Sequence, residues 1–324
     1  MPARRPFAAA LRLPQILVQH GELLGAFVRR ELKSRIEGSV LGRVWPLVQP
    51  AMLFAIYYLV FARILKVGFS DNLAPHGPEG EGWRSTFYLI TGILPWTVLA
   101  EGAARGSGVV LENANLIKKI AFPSELLPTY TTIVFHVYFL VGFAILLLLE
   151  LFVNGGLPMA LIWLPLIVLV QFVFVNGLAM FLAAANIFVR DVSQAVPVII
   201  TFWMFTTPVF YDPGKLEEMA GAEHVHLTAM YEAAVASGDP ASIEIATGEL
   251  STITENLATA QNINEAMSYN PMAVLLDLYR SVFSYGRLPF PVMRLVKLAV
   301  IAALIQWLAY AFFLRCKGRF ADEV

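Results

Sequence analysis

Residues 126–149 read LLPTYTTIVFHVYFLVGFAILLLL, a stretch without a single charged side chain. The hydrocarbon core of a bilayer is about 30 Å thick, and a helix needs about 20 apolar residues to cross it. This stretch is therefore long enough for one membrane-spanning helix. We expect it, together with similar stretches on either side, to decide the fold.

Five more charge-free stretches share this character. They occupy residues 44–62, 85–100, 151–189, 192–211 and 298–314. The stretch 151–189 exceeds one span, and the sequence NGGLP at 154–158 predicts a turn before a helix that begins near Met159. The sequence thus predicts an all-α integral membrane protein with six transmembrane helices and both termini on one side.

The overall composition agrees with a membrane protein. Apolar residues make up 58% of the chain, whereas an ordinary soluble domain has about half. A soluble enzyme is disfavoured because soluble helices keep a polar face. Cys316 is the single cysteine, which excludes a disulfide within one chain. Residues 1–14 make a poor signal peptide, so we expect the first span to direct insertion.

Lysine and arginine are distributed unevenly between the predicted spans. If both termini lie inside, the inside segments hold fifteen of the 23 Lys and Arg residues. The bias is strongest in the short loops, where the positive-inside rule applies, so we predict cytoplasmic termini. The long outside segment 212–268 has ten acidic residues and one basic residue, Lys215, which gives a formal charge of −9.

This acidic segment also carries a helical pattern. Asp239 followed by Pro240 is typical of a helix N-cap with proline in the first turn. Apolar residues then recur at alternating spacings of three and four, at Ile243, Ala246, Leu250, Ile253, Leu257 and Ala260. We expect helices over 216–237 and 240–267 that form an external helical hairpin. The hairpin is either a solvated insertion that packs on itself or a docking surface for a periplasmic or membrane adaptor.

Two cytoplasmic segments are candidates for contact with a partner. Residues 22–37 have an apolar stripe with basic flanks, which is typical of an amphipathic helix in the headgroup layer. An ordinary cytosolic helix is the alternative. Residues 113–123, NANLIKKIAFP, fit either a rigid peg that receives force from a cytoplasmic partner or a simple structured loop.

The sequence lacks the residues that several other functions require. It has no GxxxxGK[ST] phosphate-binding loop, so ATP must bind to a separate chain if it drives transport. His224 and His226 would lie on different faces of a helix, and we expect no metal site. His136 is the one ionisable residue well inside a predicted span. We expect it to bond to a neighbouring helix rather than to belong to a proton relay.

The predicted spans are rich in aromatic residues and proline instead. Aromatic faces on which sugar rings can stack are predicted to line a substrate channel at Tyr57, Tyr58, Trp96, Phe202, Trp203 and Phe205. The alternative is that they are lipid-facing or interfacial residues, as Trp, Tyr and Phe often are. The prolines at 46, 50, 95, 197 and 208 are expected to kink or break helices.

Motifs at the span boundaries resemble those of ABC-type polysaccharide export permeases, which belong to the type 2 ABC exporters. The similar stretches are FVRRELKSR at 27–35, GSVLGRVWPLVQP at 38–50, NLIKK at 115–119, FPSELLP at 122–128, NIFVRDV at 186–192, TPVFY at 207–211, YNP at 269–271 and LYR at 278–280. Their order and spacing relative to the spans agree over nearly the whole chain.

The resemblance implies a homodimer of six-span permease subunits seated on a cytoplasmic ABC ATPase dimer. Such a complex exports a lipid-linked O-antigen, capsular or similar polysaccharide across the bacterial inner membrane. This chain would not be an enzyme and would hold no cofactor, since ATP and Mg would bind to the partner; nucleic acid is not an expected partner. The resemblance places ATPase coupling at Arg29, Arg30, Glu31, Asn115, Lys118 and Lys119. It places an external gate at Pro208, Tyr211, Asn270, Pro271, Tyr279 and Arg280.

These predictions divide the chain into four parts. They are a cytoplasmic segment with an interface helix at 1–43, five spans at 44–211, an external segment with the acidic hairpin and gate helices at 212–291, and a sixth span with a cytoplasmic tail at 292–324. The hairpin departs from the resemblance, because the family usually has a much shorter link there. Two alternative functions remain open. One is a permease for another amphiphile, such as teichoic acid, a lipid or a drug, and the other is a membrane-embedded transferase.

Overall fold

The computed structural model describes residues 9–35, 37, 42–64, 80–119, 122–283 and 290–323. Within these ranges every regular element is a helix. In chain order the helices are α1 Leu13–Gln19, α2 Gly21–Ser34, α3 Trp45–Tyr57, α4 Gly80–Glu112, α5 Ala114–Lys119, α6 Leu126–Asn154, α7 Leu164–Phe188, α8 Val192–Phe205, α9 Pro213–Ser237, α10 Pro240–Tyr269, α11 Pro271–Val282, α12 Val292–Lys317 and α13 Phe320–Glu323. Helix α3 continues directly as a π-helix, Tyr58–Ile64.

Among the residues that the structure describes, four helical segments are long and apolar enough to cross a membrane. They are Thr86–Glu112, Leu126–Val153, Met159–Phe188 and Val292–Lys317. Two further apolar segments, Trp45–Phe61 and Val192–Phe205, are shorter. Helix α8 has 14 residues, which at about 1.5 Å per residue gives about 21 Å, less than the hydrocarbon core. Helix length within the described residues therefore supports four spans, and the count of six stays a prediction.

The fifth charge-free stretch stops being helical earlier than the sequence predicts. Helix α8 ends at Phe205, and residues 206–211 form a loop in which the Val209 amide donates to the Thr207 carbonyl at 2.7 Å. Pro208 accounts for the break, because proline has no amide hydrogen and disfavours helical geometry at the preceding residue. The chain thus leaves α8 through a short loop before α9 begins.

Helix α4 is the centre of the bundle and packs against α6, α7, α8 and α11. Small residues allow α4 and α7 to approach closely. A Cβ atom on Gly106 would lie 2.7 Å from Cβ of Ala179, and one on Gly102 would lie 2.7 Å from Cγ1 of Val175. Two glycines four residues apart are typical of closely packed membrane helices, where backbone proximity maximises van der Waals contact.

Helix α7 also packs along α12. A Cβ atom on Gly177 would lie 2.9 Å from Cα of Gln306. Beside this close approach, Nδ2 of Asn176 donates to Oε1 of Gln306 at 2.8 Å. Polar side chains inside a membrane bundle need such partners, since lipid offers none. Helices α4, α7 and α12 therefore form a continuous packed layer.

Helices α9 and α10 pack against each other as a hairpin. Gly238, with φ of +69°, ends α9. Asp239 caps α10 by accepting a bond from the Ser242 amide at 3.2 Å, as the sequence predicts. Ala246, Ile253 and Ala260 are buried, so the apolar seam of α10 faces its partner helix. The location of the hairpin outside the membrane stays a prediction.

Helix α2 covers most of the predicted interface helix at 22–37 and ends at Ser34. Its apolar stripe packs on α6. The ring of Phe27 stacks on Tyr130 with centroids 5.4 Å apart, and it meets the edge of Phe122 at 5.6 Å. The exposed side of α2 carries Arg29 and Arg30. Its position in the headgroup layer stays a prediction.

Candidate functional site

The short helix α11 organises the candidate site. Asn270 caps its start by accepting bonds from the amides of Met272 at 3.0 Å and Ala273 at 3.4 Å. Pro271 follows as the first helical residue, a position where proline costs no hydrogen bond. Most of the helix is buried against its neighbours. A short helix fixed this firmly can hold loops in place at the end of the bundle.

The same Asn270 side chain joins α11 to the end of α8. Nε1 of Trp203 donates to Oδ1 of Asn270 at 3.2 Å, and Nδ2 of Asn270 donates to the Thr207 hydroxyl at 2.9 Å. The Trp203 ring in turn meets the Trp96 ring edge to face, with centroids 6.1 Å apart. One amide therefore connects the helix cap, the 206–211 loop and the aromatic packing inside the bundle.

Arg280 holds the 206–211 loop from the other side. Its side chain is buried, and its guanidinium carbon lies 3.5 Å from the centroid of the Tyr88 ring. Nη2 donates to the carbonyl oxygens of Pro208 at 2.7 Å and Val209 at 3.3 Å. These contacts stabilise a buried cation, which would otherwise be costly. They also satisfy carbonyls that the broken helix leaves exposed.

Two tyrosines add further hydrogen bonds around α11 and the 206–211 loop. The Tyr88 hydroxyl donates to the Tyr211 carbonyl at 2.7 Å, which anchors the far end of the loop. The Tyr279 hydroxyl donates to Oε1 of Gln171, and Nε2 of Gln171 donates to the Pro95 carbonyl at 3.1 Å. Burial raises the pKa of Tyr279 well above its usual range, so this hydroxyl remains a donor.

The six residues predicted as an external gate thus lie in one cluster, which we call the α11 cluster. It consists of Pro208, Tyr211, Asn270, Pro271, Tyr279 and Arg280. Tyr88 and Gln171 are further members that sequence reasoning did not identify, because each lies in a charge-free stretch far along the chain from its partner. The structure brings the predicted residues together, while their role as a gate stays a prediction.

The predicted channel aromatics occupy several environments. Trp96 is buried and Trp203 half-buried inside the bundle, whereas Phe202 and Phe205 are 71% and 66% exposed on α8. The Tyr57 ring lies 6.4 Å from Phe210 of the 206–211 loop. The Tyr58 hydroxyl accepts from Nε of Arg63 at 3.1 Å. Within one subunit they do not form a single surface, and channel lining stays a prediction.

The predicted coupling residues lie on α2 and α5. Arg29, Arg30, Asn115 and Lys118 are exposed, and the side chain of Lys119 lies outside the described residues. Glu31 accepts from Nε of Arg35 at 3.2 Å and lies 3.7 Å from Nη2 of Arg105 on α4. These two helices therefore present polar side chains on their free surface, and Glu31 links α2 to the central helix.

A buried carboxylate in the segment after α5 was not identified from the sequence. Glu125 is 3% exposed. Its Oε2 lies 2.6 Å from Nζ of Lys317, and its Oε1 accepts from the Tyr310 hydroxyl at 3.4 Å. This pair fastens the segment after α5 to the last turn of α12. In the sequence both Glu125 and Lys317 lie near the ends of predicted spans, but no local pattern predicts that they form an ion pair.

The expectation for His136 is wrong in one respect. Its Nδ1 donates to the Thr132 carbonyl at 2.8 Å, one turn earlier on the same helix and not on a neighbouring one. Its ring meets Phe172 of α7 edge to face, with centroids 5.3 Å apart. A helical residue four positions on can reach this carbonyl directly, and that local bond replaces the predicted interhelical one.

Comparisons with known proteins agree with this architecture. Residues 22–235 match the sequence profile of the ABC-2 type transporter family. The chain is 26% identical over 314 residues to the O-antigen export system permease protein RfbA of Myxococcus xanthus, covering 97% of this chain and 100% of that protein. It is 28% identical over 199 residues to the protein of the same name from Klebsiella pneumoniae, covering 61% of this chain and 71% of that one.

Proposed function

Because the chain belongs to the ABC-2 type transporter family, we propose that it is the membrane-spanning subunit of an ATP-driven exporter of lipid-linked O-antigen polysaccharide. The observation that carries the proposal is the alignment with the Myxococcus O-antigen export permease, which covers 97% of this chain and all of its relative. The family alone does not specify a substrate. An alignment over the full length of one relative supports the narrower assignment.

The proposed topology has six spans, with α3 and α8 added to the four long helices. Both lie in charge-free stretches. The 206–211 loop lengthens the path of α8 across the bilayer, and the Arg280 guanidinium binds its carbonyls at Pro208 and Val209. Irregular backbone is tolerated at membrane depth where protein groups satisfy it. The distribution of Lys and Arg supports cytoplasmic termini in the bacterial inner membrane and an external hairpin.

The energy source in this proposal is a separate cytoplasmic ATPase dimer that binds ATP and Mg. The exposed side chains of Arg29, Arg30, Asn115 and Lys118 suit contact with it. Force applied to α2 would reach the spans, because Phe27 stacks on Tyr130 of α6 and Glu31 pairs with Arg105 of α4. Closure of the ATPase would thereby shift the spans between a sealed and an open state.

The proposed translocation path lies between two copies of this chain. Helix α8 carries the exposed apolar side chains of Val198, Ile199, Phe202 and Phe205. In a homodimer this face would meet the second copy or the glycan, and aromatic rings would give weak contacts that tolerate many sugar sequences. A chain of weak contacts suits a polymer that must slide, since no single position would trap it.

The experiment that tests the proposal is deletion of the gene in the source strain, followed by complementation. Deletion is expected to abolish surface O-antigen and to leave lipid-linked glycan inside the cell. Complementation with the intact chain should restore the surface glycan. Normal surface O-antigen in the deletion strain would refute the assignment, and an altered level of a different surface amphiphile would favour the other substrates.

A further inference from the structure

A cavity of about 660 Å³ lies beside the α11 cluster. Its walls come from the start of α9, the end of α10, helix α11 and the start of α12. Pockets for small ligands typically measure about 300–1,000 Å³, so a short oligosaccharide would fit by size. The base of the acidic hairpin supplies two of these helical walls, and Tyr88 of α4 and Pro208 of the 206–211 loop also contribute to the lining.

The base of the hairpin is held in place by local bonds. Asp212 caps α9 by accepting from the amide of Gly214 at 3.0 Å. Nδ2 of Asn264 on α10 donates to Oε2 of Glu217 on α9 at 2.7 Å. The first bond fixes the start of α9, and the second joins the two hairpin helices. The cavity is therefore formed by ordered elements on both sides.

The formal charges of the residues that line the cavity sum to zero. Three are acidic and three are basic, namely Asp212, Glu218, Asp277, Arg280, Arg294 and Lys297. Arg294 forms an ion pair with Asp277. A lining with no net formal charge favours neither an anion such as a phosphate headgroup nor a cation. It offers donors and acceptors together, which suits a neutral ligand with many hydroxyl groups.

Neutral polar groups and aromatic rings complete the lining. Ser268 and Ser281 add hydroxyls, which donate to the carbonyls of Glu265 at 2.6 Å and Asp277 at 2.7 Å and so can accept bonds from a ligand. Tyr269 lies at the end of α10 and is 77% exposed, whereas Arg280 covers the Tyr88 ring and the Tyr88 hydroxyl donates to the Tyr211 carbonyl. Aromatic rings can pack against the apolar C–H faces of sugars while their hydroxyls bind water or ligand. Hydroxyl acceptors, the Asp277–Arg294 ion pair and the exposed Tyr269 ring in one cavity match the chemistry of a sugar.

We propose that this cavity binds a short neutral segment of the exported glycan, a role that rests on the function proposed above. Pro208 and Arg280 belong both to the cavity wall and to the α11 cluster. A sugar bound here would lie against the loop that Arg280 holds. The hairpin would thus add a glycan-binding site at the end of the translocation path.

The test uses the full chain with its partner ATPase in lipid nanodiscs. The probe is the neutral fraction of short oligosaccharides obtained by partial hydrolysis of O-polysaccharide from the source strain. Binding is followed by ligand-observed NMR for the intact protein and for the Tyr269→Ala and Asp277→Asn variants. We expect binding to weaken about five- to tenfold in each variant. Tyr231→Ala on α9, outside the cavity, is the matched control and should bind as the intact protein does.

The outcomes separate the cavity from the overall function. Equal binding by the intact protein and both variants, or no binding by any of them, would overturn the cavity proposal. Competition by inorganic phosphate or by phosphatidylglycerol in the nanodisc would also overturn it, since the site would then take anions. Tyr269 is exposed, so equal unfolding temperatures should verify that its variant folds. Failure of the exporter assignment would appear separately, as normal surface O-antigen after gene deletion.

Discussion

At the scale of single residues, Arg280 shows how a buried charge can organise a loop. Its guanidinium lies over the Tyr88 ring and donates to two carbonyls of the 206–211 loop. The geometry requires a glycine on the facing helix, because a Cβ on Gly92 would lie 2.8 Å from Nη2 of Arg280. It would also lie 3.2 Å from the Val209 carbonyl.

Gly92→Ala should therefore displace Arg280 and loosen the loop. Introducing a methyl group into a packed site typically costs about 1–3 kcal/mol. We expect a lower unfolding temperature in detergent and reduced surface O-antigen in cells. Gly248→Ala is the matched control, because nothing lies within 4 Å of its Cβ position and alanine favours helix. Equal effects of the two substitutions would contradict the proposed contact.

The Glu125–Lys317 pair gives a second prediction at this scale. Lys317→Met removes the partner of a buried carboxylate, which typically costs about 3–5 kcal/mol when both charges are buried. A smaller loss is expected here, because the Lys317 side chain is 34% exposed. The double variant Glu125→Gln with Lys317→Met should recover part of the loss. Thermal unfolding of the intact protein, the Lys317→Met and Glu125→Gln variants and the double variant measures the coupling energy, and purely additive effects would show no coupling between the two side chains.

At the scale of elements, the close packing of α4 against α7 depends on Gly102 and Gly106. Gly106→Leu should force the helices apart, because its side chain would meet Ala179 and the adjacent backbone. We expect a large loss of folded, monodisperse protein on size-exclusion chromatography. Gly108→Leu is the control two positions away, where the nearest neighbour is the flexible end of Glu112 at 3.2 Å. Similar yields of monodisperse protein for both variants would contradict close packing of α4 against α7 at Gly106.

The elements also show what the sequence could and could not predict. Charge-free stretches predicted the long helices, and the Asp-Pro pair at 239–240 predicted the start of α10, because these signals are local. Pro208 was expected to kink or break a helix, and α8 does end shortly before it; the charge-free stretch 192–211 did not indicate that the helix ends as early as Phe205. The contacts of Arg280 with Tyr88 and of Glu125 with Lys317 depend on packing across the bundle, which no local pattern encodes.

At the scale of the whole molecule, charge is strongly separated along the chain. Residues 212–268 carry a formal charge of −9 while the whole chain has −1. In the proposed topology a membrane separates these regions, with most Lys and Arg residues on the cytoplasmic side. The cationic segments would then face the proposed ATPase, and the acidic hairpin would face outward with the cavity at its base.

The exposed aromatic face of α8 yields a prediction at this scale. Replacing both Phe202 and Phe205 by alanine should lower export several-fold, because the proposed path between two subunits would lose its aromatic contacts. Assembly with the ATPase should persist, since both side chains are exposed in the subunit. Phe152→Ala is the control, because Phe152 is 84% exposed on a different span. Surface O-antigen, measured with antibody, distinguishes the variants, and unchanged export in the double variant would refute the aromatic path.

The most direct test of the central claim is transport by purified components. The chain and its partner ATPase would be reconstituted into proteoliposomes with lipid-linked O-polysaccharide, and movement of glycan across the bilayer would be followed with an impermeant lectin. We predict that glycan crosses only when ATP and Mg are present and only when this chain is included. ATP hydrolysis by the intact complex without any movement of the glycan would contradict the claim.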